Sequence, residues 1–152
     1  QLLVVMCGHA AGRAAPGPLS ALAAAIATFA VRALRQRKLF WAMIADPAEP
    51  EVEAVRTAFR RALAGEFEIR ITAAMQAGHL PSQHVKLAAA ALVGAMLEGL
   101  VGPLAADSDS DPARSRNAVQ ALTLLTLRAL GVIDARARGL VVQIALPAME
   151  ES

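Results

Sequence analysis

The sequence predicts an all-α fold, an antiparallel helical bundle, and three observations carry that prediction. Hydrophobic residues make up 56% of the chain while aromatics make up 3% and Tyr is absent, so much of the apolar count is Ala. Ala is the strongest helix former, and the β-branched and aromatic runs that favour strands are scarce. Apolar residues then recur every three or four positions in several segments, and Pro or Gly punctuates the gaps between them.

At 152 residues the chain fits one domain able to bury its own core. A formal net charge of +2 is too small to argue for nucleic-acid binding. Cys7 is the single cysteine, so an internal disulfide is excluded and a reducing, cytoplasmic setting is expected. The opening QLLVVMCGHAAG resembles a short signal-peptide core, but no basic region precedes it. It begins at Gln and not Met, so further residues are expected before it.

Taken in order, residues 2–10 are apolar and read as the end of a helix. GRAAPGP, from Gly12 to Pro18, is a break, and Pro18 suits a first helical turn. From Leu19 to about Lys38 the pattern is helical, with Leu22, Ile26, Phe29, Ala33 and Leu34 on one side. Arg32, Arg35, Arg37 and Lys38 gather near its C-terminal end, where cations complement the helix dipole. LFWAMIA, Leu39 to Ala45, is the most concentrated bulky patch and holds the sole Trp; it reads as a short core helix or the wall of a ligand pocket. Asp46-Pro47 ends it and can cap the next helix. From Glu51 to Ala77, Val52, Val55, Phe59, Leu63, Phe67, Ile71 and Met75 form one amphipathic stripe. Gly78 is expected as its left-handed cap, with Leu80 folding back on the last turn.

The helix opened by Pro81-Ser82 contains the most distinctive stretch, HVKLAAAALVGAMLEGLVGPL, from His84 to Leu104. Ala90, Gly94, Glu98 and Gly102 fall on one row of a helix; Leu87, Ala91, Ala95 and Gly99 fall on the adjacent row. Such a flat ridge admits a close second helix and predicts a subunit interface. A membrane span over Leu87–Leu104 has about the minimum length, but Glu98, three Gly and Pro103 argue against it. ADSDSDP follows as a polar loop. Asp107, Asp109 and Asp111 imitate the start of a calcium loop without the required Gly or distal Glu, so Asp111 is expected as an N-cap before Pro112. The last helix is expected from about Ala113 to Leu130, with Val119, Leu122, Leu125 or Thr126 and Leu130 on its apolar face and Gly131 as its cap. GLVVQIALP beyond it reads as a short strand or a docked apolar tail.

No phosphate loop, nucleophile elbow or H-E-x-x-H pattern occurs. His79 and His84 straddle a turn without a Cys or carboxylate cluster to complete a metal site, and they read as surface groups along with His9. Cys7 has no recognisable catalytic partner. Glu98, alone amid apolar sequence, must pair, face a cavity or stay protonated. Neither enzymatic activity nor a cofactor is expected.

Several segments together resemble the C-terminal domain of a TetR-type transcriptional regulator. They are FWAMIADP followed by EVEAVR and a long helix, AGHLPSQ leading into LAAAALVGAMLEGLVGPL, a polar loop, and a final helix closing at LRALGV. The resemblance covers roughly residues 19–132. It implies residues 1–12 as the remnant of a connecting helix, 13–131 as a ligand-binding and dimerisation domain, and 132–152 as a tail. It implies a homodimer whose last two helices, about 82–103 and 113–130, form a four-helix bundle across a two-fold axis. Leu87, Ala90, Ala91, Gly94, Glu98, Val101, Val119, Leu122 and Thr126 would then lie at the interface. It also implies a cavity for a small apolar or aromatic ligand, with Phe29, Trp41, Ile44, Phe59, Leu63, Phe67 and Met96 as lining candidates. The family's N-terminal helix-turn-helix unit is not in this sequence, so DNA would be reached only through that missing part. The implied function is a repressor released from DNA by its ligand. The alternative is a stand-alone helical interaction protein that uses 84–104 to bind a partner and has no cavity.

Overall fold

The computed structural model describes residues 17–105 and 111–144. Among them are six α-helices and no strand: α1 (Pro18–Arg35), α2 (Arg37–Ile44), α3 (Pro50–Gln76), α4 (Val85–Val101), α5 (Pro112–Ala129) and α6 (Asp134–Gln143). The expected all-α class is therefore observed. The proposed remnant at 1–12, Cys7, His9, Asp107 and Asp109 lie outside the described residues.

α1 is the hub of the core. It packs against all five other helices, and eleven of its eighteen residues are buried, including Leu22, Ile26 and Phe29. It is long and apolar enough to cross a membrane by length and composition. Its position at the centre of the bundle accounts for that apolarity, as a helix hydrophobic on most sides must be covered on most sides. Gly17, with φ +119°, precedes Pro18 at the first position.

The helix expected to run to Lys38 instead breaks at Gln36 and restarts at Arg37. The Phe29–Phe40 pair explains the break. Eleven residues of continuous helix would separate these rings by roughly 16 Å along the axis. Their centroids are 6.0 Å apart, edge to face at 76°, a favourable aromatic geometry that only a change of direction permits. Phe40 and Ile44 are thereby buried, while Leu39 and Trp41 stay on the outside.

α3 begins at Pro50 after Glu49, later than the Asp46-Pro47 pair that the sequence suggested as its start; Glu51 and Glu53 in its first turn complement the dipole. Only the second half of the expected stripe is core. Leu63, Phe67 and Ile71 are buried and Phe59 and Met75 half-buried, whereas Val55 is 68% exposed. Arg56 takes the inward position near that end. Its Nη1 meets Glu53 Oε1 at 2.5 Å, and its Nη2 donates to the Ala42 carbonyl at 2.7 Å. That carbonyl is in the last turn of α2, where helices leave acceptors unfilled, so Arg56 ties α2 to α3.

α3 closes as expected. Gly78, at φ +77°, donates to Met75 O and His79 N donates to Ala74 O, a Schellman cap, with Leu80 buried beside it. α5 ends the same way: Gly131 N donates to Arg128 O and Val132 N to Leu127 O, and Val132 is buried. The two caps dock on one another. Gln83 Nε2 donates to Leu130 O at 2.9 Å, and a Cβ at Gly131 would stand 2.6 Å from Pro81 Cγ. α4 then starts at Val85, later than Pro81-Ser82, because His84 is its cap: Nδ1 accepts from Leu87 N at 3.2 Å. Asp111 caps α5 through Ala113 N at 2.9 Å, ahead of Pro112, as expected.

Residues 134–143, whose GLVV segment read as a strand or tail, form α6. Asp134 sets its first turn. The carboxylate accepts from Arg138 Nε at 2.8 Å and Arg128 Nε at 2.6 Å, and Ala137, Leu140 and Val141 are spaced to bury one helical face.

Candidate ligand cleft and docking face

Most of the residues expected to line a ligand cavity lie in the core, and one lies at the surface. Phe29, Leu63, Phe67 and Met96 are fully buried, and Ile44 nearly so, within a continuous apolar core. Phe59 packs at the edge of that core, while Trp41 is 42% exposed. Bulky apolar residues at helical spacing serve packing here, the commonest use of such a stripe.

Trp41 faces a different concavity. An open cleft of about 1110 Å³ lies between the end of α1, the start of α2 and the end of α4. Leu34, Leu39, Trp41 and Val101 supply apolar lining; Arg35, Arg37 and Lys38 supply cations. The break at Gln36 creates this arrangement by folding the basic end of α1 back over the first turn of α2. The basic cluster and the bulky patch were both visible in the sequence. Their convergence with the end of α4 was not, because no Gly or Pro marks the break.

The expected interface residues divide in two. Leu87, Ala90, Ala91, Gly94 and Glu98 are exposed on α4 and Val101 is half-buried, whereas Val119, Leu122 and Thr126 are packed inside the subunit. The phase of α5 explains the difference: its apolar stripe faces α1. Thr123 and Thr126 can join that stripe because their hydroxyls donate to Val119 O at 2.7 Å and Leu122 O at 2.9 Å. The outer face of α5 instead presents Asn117, Ala121 and Leu125.

α4 itself has two apolar sides. Ala89, Leu92, Val93, Met96, Leu97 and Leu100 enter the core. Leu87, Ala90, Ala91, Gly94 and Ala95 stand exposed on the opposite side, closed by Glu98. Beside that ridge a groove of about 290 Å³ runs between α3 and α4, floored by Ala64, Ala90, Val93, Gly94 and Leu97 and edged by Arg60, Arg61 and Glu98. Glu98 is thus a surface carboxylate at the groove's rim, with no ion pair to a described residue. No group of three potential metal ligands occurs among the described residues.

Comparison of the chain with protein-family models, curated protein sequences and solved structures finds no match.

Proposed function

We propose that this chain is an effector-binding and homodimerisation domain of the kind found in TetR-type regulators, working in the cytoplasm beside a DNA-reading unit on a separate segment. One observation carries the reading: α4 is apolar on both sides, and the side outside the core is an exposed ridge of small residues. A helix apolar all round is ordinarily covered all round. Small residues allow a second helix to come close and lose little side-chain entropy when ordered.

A second copy fits this face because a two-fold interface must be self-complementary. Glu98 of one protomer and Arg60 and Arg61 of the other supply reciprocal charges around the apolar floor. The share of α5 in such a bundle falls on Asn117, Ala121 and Leu125. An effector would act by binding the two states of the dimer unequally, which changes the spacing of the DNA-reading heads.

The test is the mass of the chain by light scattering on a sizing column, for the wild type and Gly94→Leu. A dimer that the substitution converts to monomer supports the reading. A Cβ at Gly94 meets nothing within 4 Å, and circular dichroism of Gly94→Leu checks that the subunit fold is kept. A wild-type monomer, or a dimer indifferent to Gly94→Leu, refutes this interface. The alternative is a helical interaction protein that binds a different partner through the same exposed ridge.

A further inference from the structure

We propose that the groove between α3 and α4 takes a small zwitterion with an apolar side chain, a free α-amino acid the size of leucine, and that this ligand favours separated chains over the dimer. The first part deepens the effector half of the reading above by naming the ligand class; the second rests on the dimer interface assigned there.

The groove combines features that one molecule of this class meets together. Its floor is apolar: Val93 and Leu97 rise from the core, and Ala64, Ala90 and Gly94 leave the space above them open. Arg60 and Arg61 stand on the α3 edge and Glu98 on the α4 edge, all three exposed. These opposite charges do not close on one another. No guanidinium nitrogen of Arg60 or Arg61 lies within 4.0 Å of a Glu98 carboxylate oxygen, and none of the three side chains pairs with a described residue. A molecule with a carboxylate and an ammonium group spans such a gap. Its carboxylate meets the guanidiniums, its ammonium meets Glu98, and both ends gain charge-assisted hydrogen bonds. The apolar side chain then covers the floor and removes that surface from water. A simple anion or cation would be attracted at one edge and repelled at the other. The volume of about 290 Å³ is at the small end for organic-ligand sites, the size of a single amino acid and not of a larger ligand. Such a ligand also occupies the groups assigned to the partner protomer. It withdraws Glu98, Arg60 and Arg61 from the reciprocal pairs across the two-fold axis, so it binds the free subunit more tightly than the dimer and shifts the population toward it.

The experiment is a titration of the whole isotope-labelled chain with L-leucine, followed by backbone amide chemical shifts. Glycine, leucinamide and isocaproate are titrated in parallel; they lack the side chain, the carboxylate and the ammonium group, respectively. The expected result is a saturable response centred on Ala64 and on Ala90 to Glu98, with each analogue weaker by about threefold or more. Glu98→Gln should weaken leucine by about threefold or more and leave isocaproate, which offers Glu98 no ammonium, unweakened. Arg60→Gln combined with Arg61→Gln should weaken leucine likewise and leave leucinamide unweakened. Circular dichroism checks that these surface variants keep the fold. No saturable response, a response centred elsewhere, or analogues that bind as well as leucine overturn the proposal. So does a Glu98→Gln loss shared equally by leucine and isocaproate, since the carboxylate then has no ammonium to meet. Light scattering on the same samples, at a chain concentration where dimer and monomer coexist, should show the mass fall as leucine is added. A mass that does not fall overturns the coupling to dimerisation. A chain that is monomeric throughout and binds leucine keeps the groove and sinks the dimer, whereas a dimer that does not bind leucine keeps the interface and sinks the groove.

Discussion

Gly131→Ala tests whether the two helix caps hold the bundle together. Gly131 sits at φ +101°, where an L side chain is strained, at a cost of about 1–3 kcal/mol. The new Cβ would also stand 2.6 Å and 2.8 Å from Pro81 Cγ and Cδ, and a proline ring is not a flexible side-chain end. The Ala77–His84 connection must therefore move away, and the Gln83 Nε2 to Leu130 O hydrogen bond at 2.9 Å is lost with it, worth about 0.5–1.5 kcal/mol. Together these give about 1.5–4.5 kcal/mol, a large share of the roughly 5–15 kcal/mol by which domains are stable. Gly78→Ala is the internal control. It shares the positive φ, at +77°, but its Cβ would meet nothing within 4 Å, so strain alone, about 1–2 kcal/mol, is expected. Urea denaturation followed by circular dichroism at a fixed chain concentration measures both. If Gly131→Ala costs no more than Gly78→Ala, the docking of the α3–α4 connection on the end of α5 is refuted.

Arg56→Ala should destabilise the chain by about 1.5–3 kcal/mol in the same assay, because the buried guanidinium's hydrogen bond to Ala42 O is lost and that carbonyl is left without it. Arg56→Lys should restore only part, since one ammonium cannot reproduce the fork that meets both Glu53 and Ala42; full recovery by Lys would argue against the fork. Asp134 gives a pH signature. Hydrogen bonds from Arg138 and then Arg128 hold its carboxyl below the usual aspartate range. A folded pKa below the unfolded one stabilises the fold above about pH 4 and ceases to do so as pH falls through the folded value. Wild type should therefore exceed Asp134→Asn in stability at neutral pH, with the difference closing on acidification; a gap that stays constant with pH would show that the carboxylate's charge is not what anchors α6.

The fold class and three helix caps were legible because their causes are local. Gly78, Gly131 and Asp111 act through the backbone groups two to five residues away, and each cap forms where the residue type predicts it. The break at Gln36 was not legible, since its cause is the contact of Phe40 with Phe29, a tertiary fact with no punctuation in the chain. For α6 the sequence left a strand and a docked apolar tail open, since Val141 and Val142 suggest a strand in isolation; the described part of the segment is a helix packed on the body through Ala137, Leu140 and Val141. The apolar face of α5 was legible except for one choice, Leu125 or Thr126. Thr126 is the buried one, because a threonine that donates to its own helix carbonyl can be buried as an apolar residue is, and Leu125 is exposed. The cleft required three segments to converge, and periodicity within any one of them carries no such information.

Glycine packing along α4 supplies the strongest internal argument for an external partner. Gly99 has a reason within the chain: a Cβ there would lie 3.3 Å from Leu122 Cδ1, so α4 and α5 approach closely at that point. Gly94 has none, because its Cβ would meet nothing within 4 Å. Glycine inside a helix costs about 0.8–1 kcal/mol relative to Ala, and at Gly94 the subunit's own packing does not require it. Room for a Cβ is not itself diagnostic, since Gly65 and Gly139 have it too. What distinguishes Gly94 is its setting among Ala90, Ala91 and Ala95 on one exposed face, beside a groove edged by Arg60, Arg61 and Glu98. Small side chains along several consecutive turns keep that whole face low, which a close helix from a second copy would use and bulk water would not.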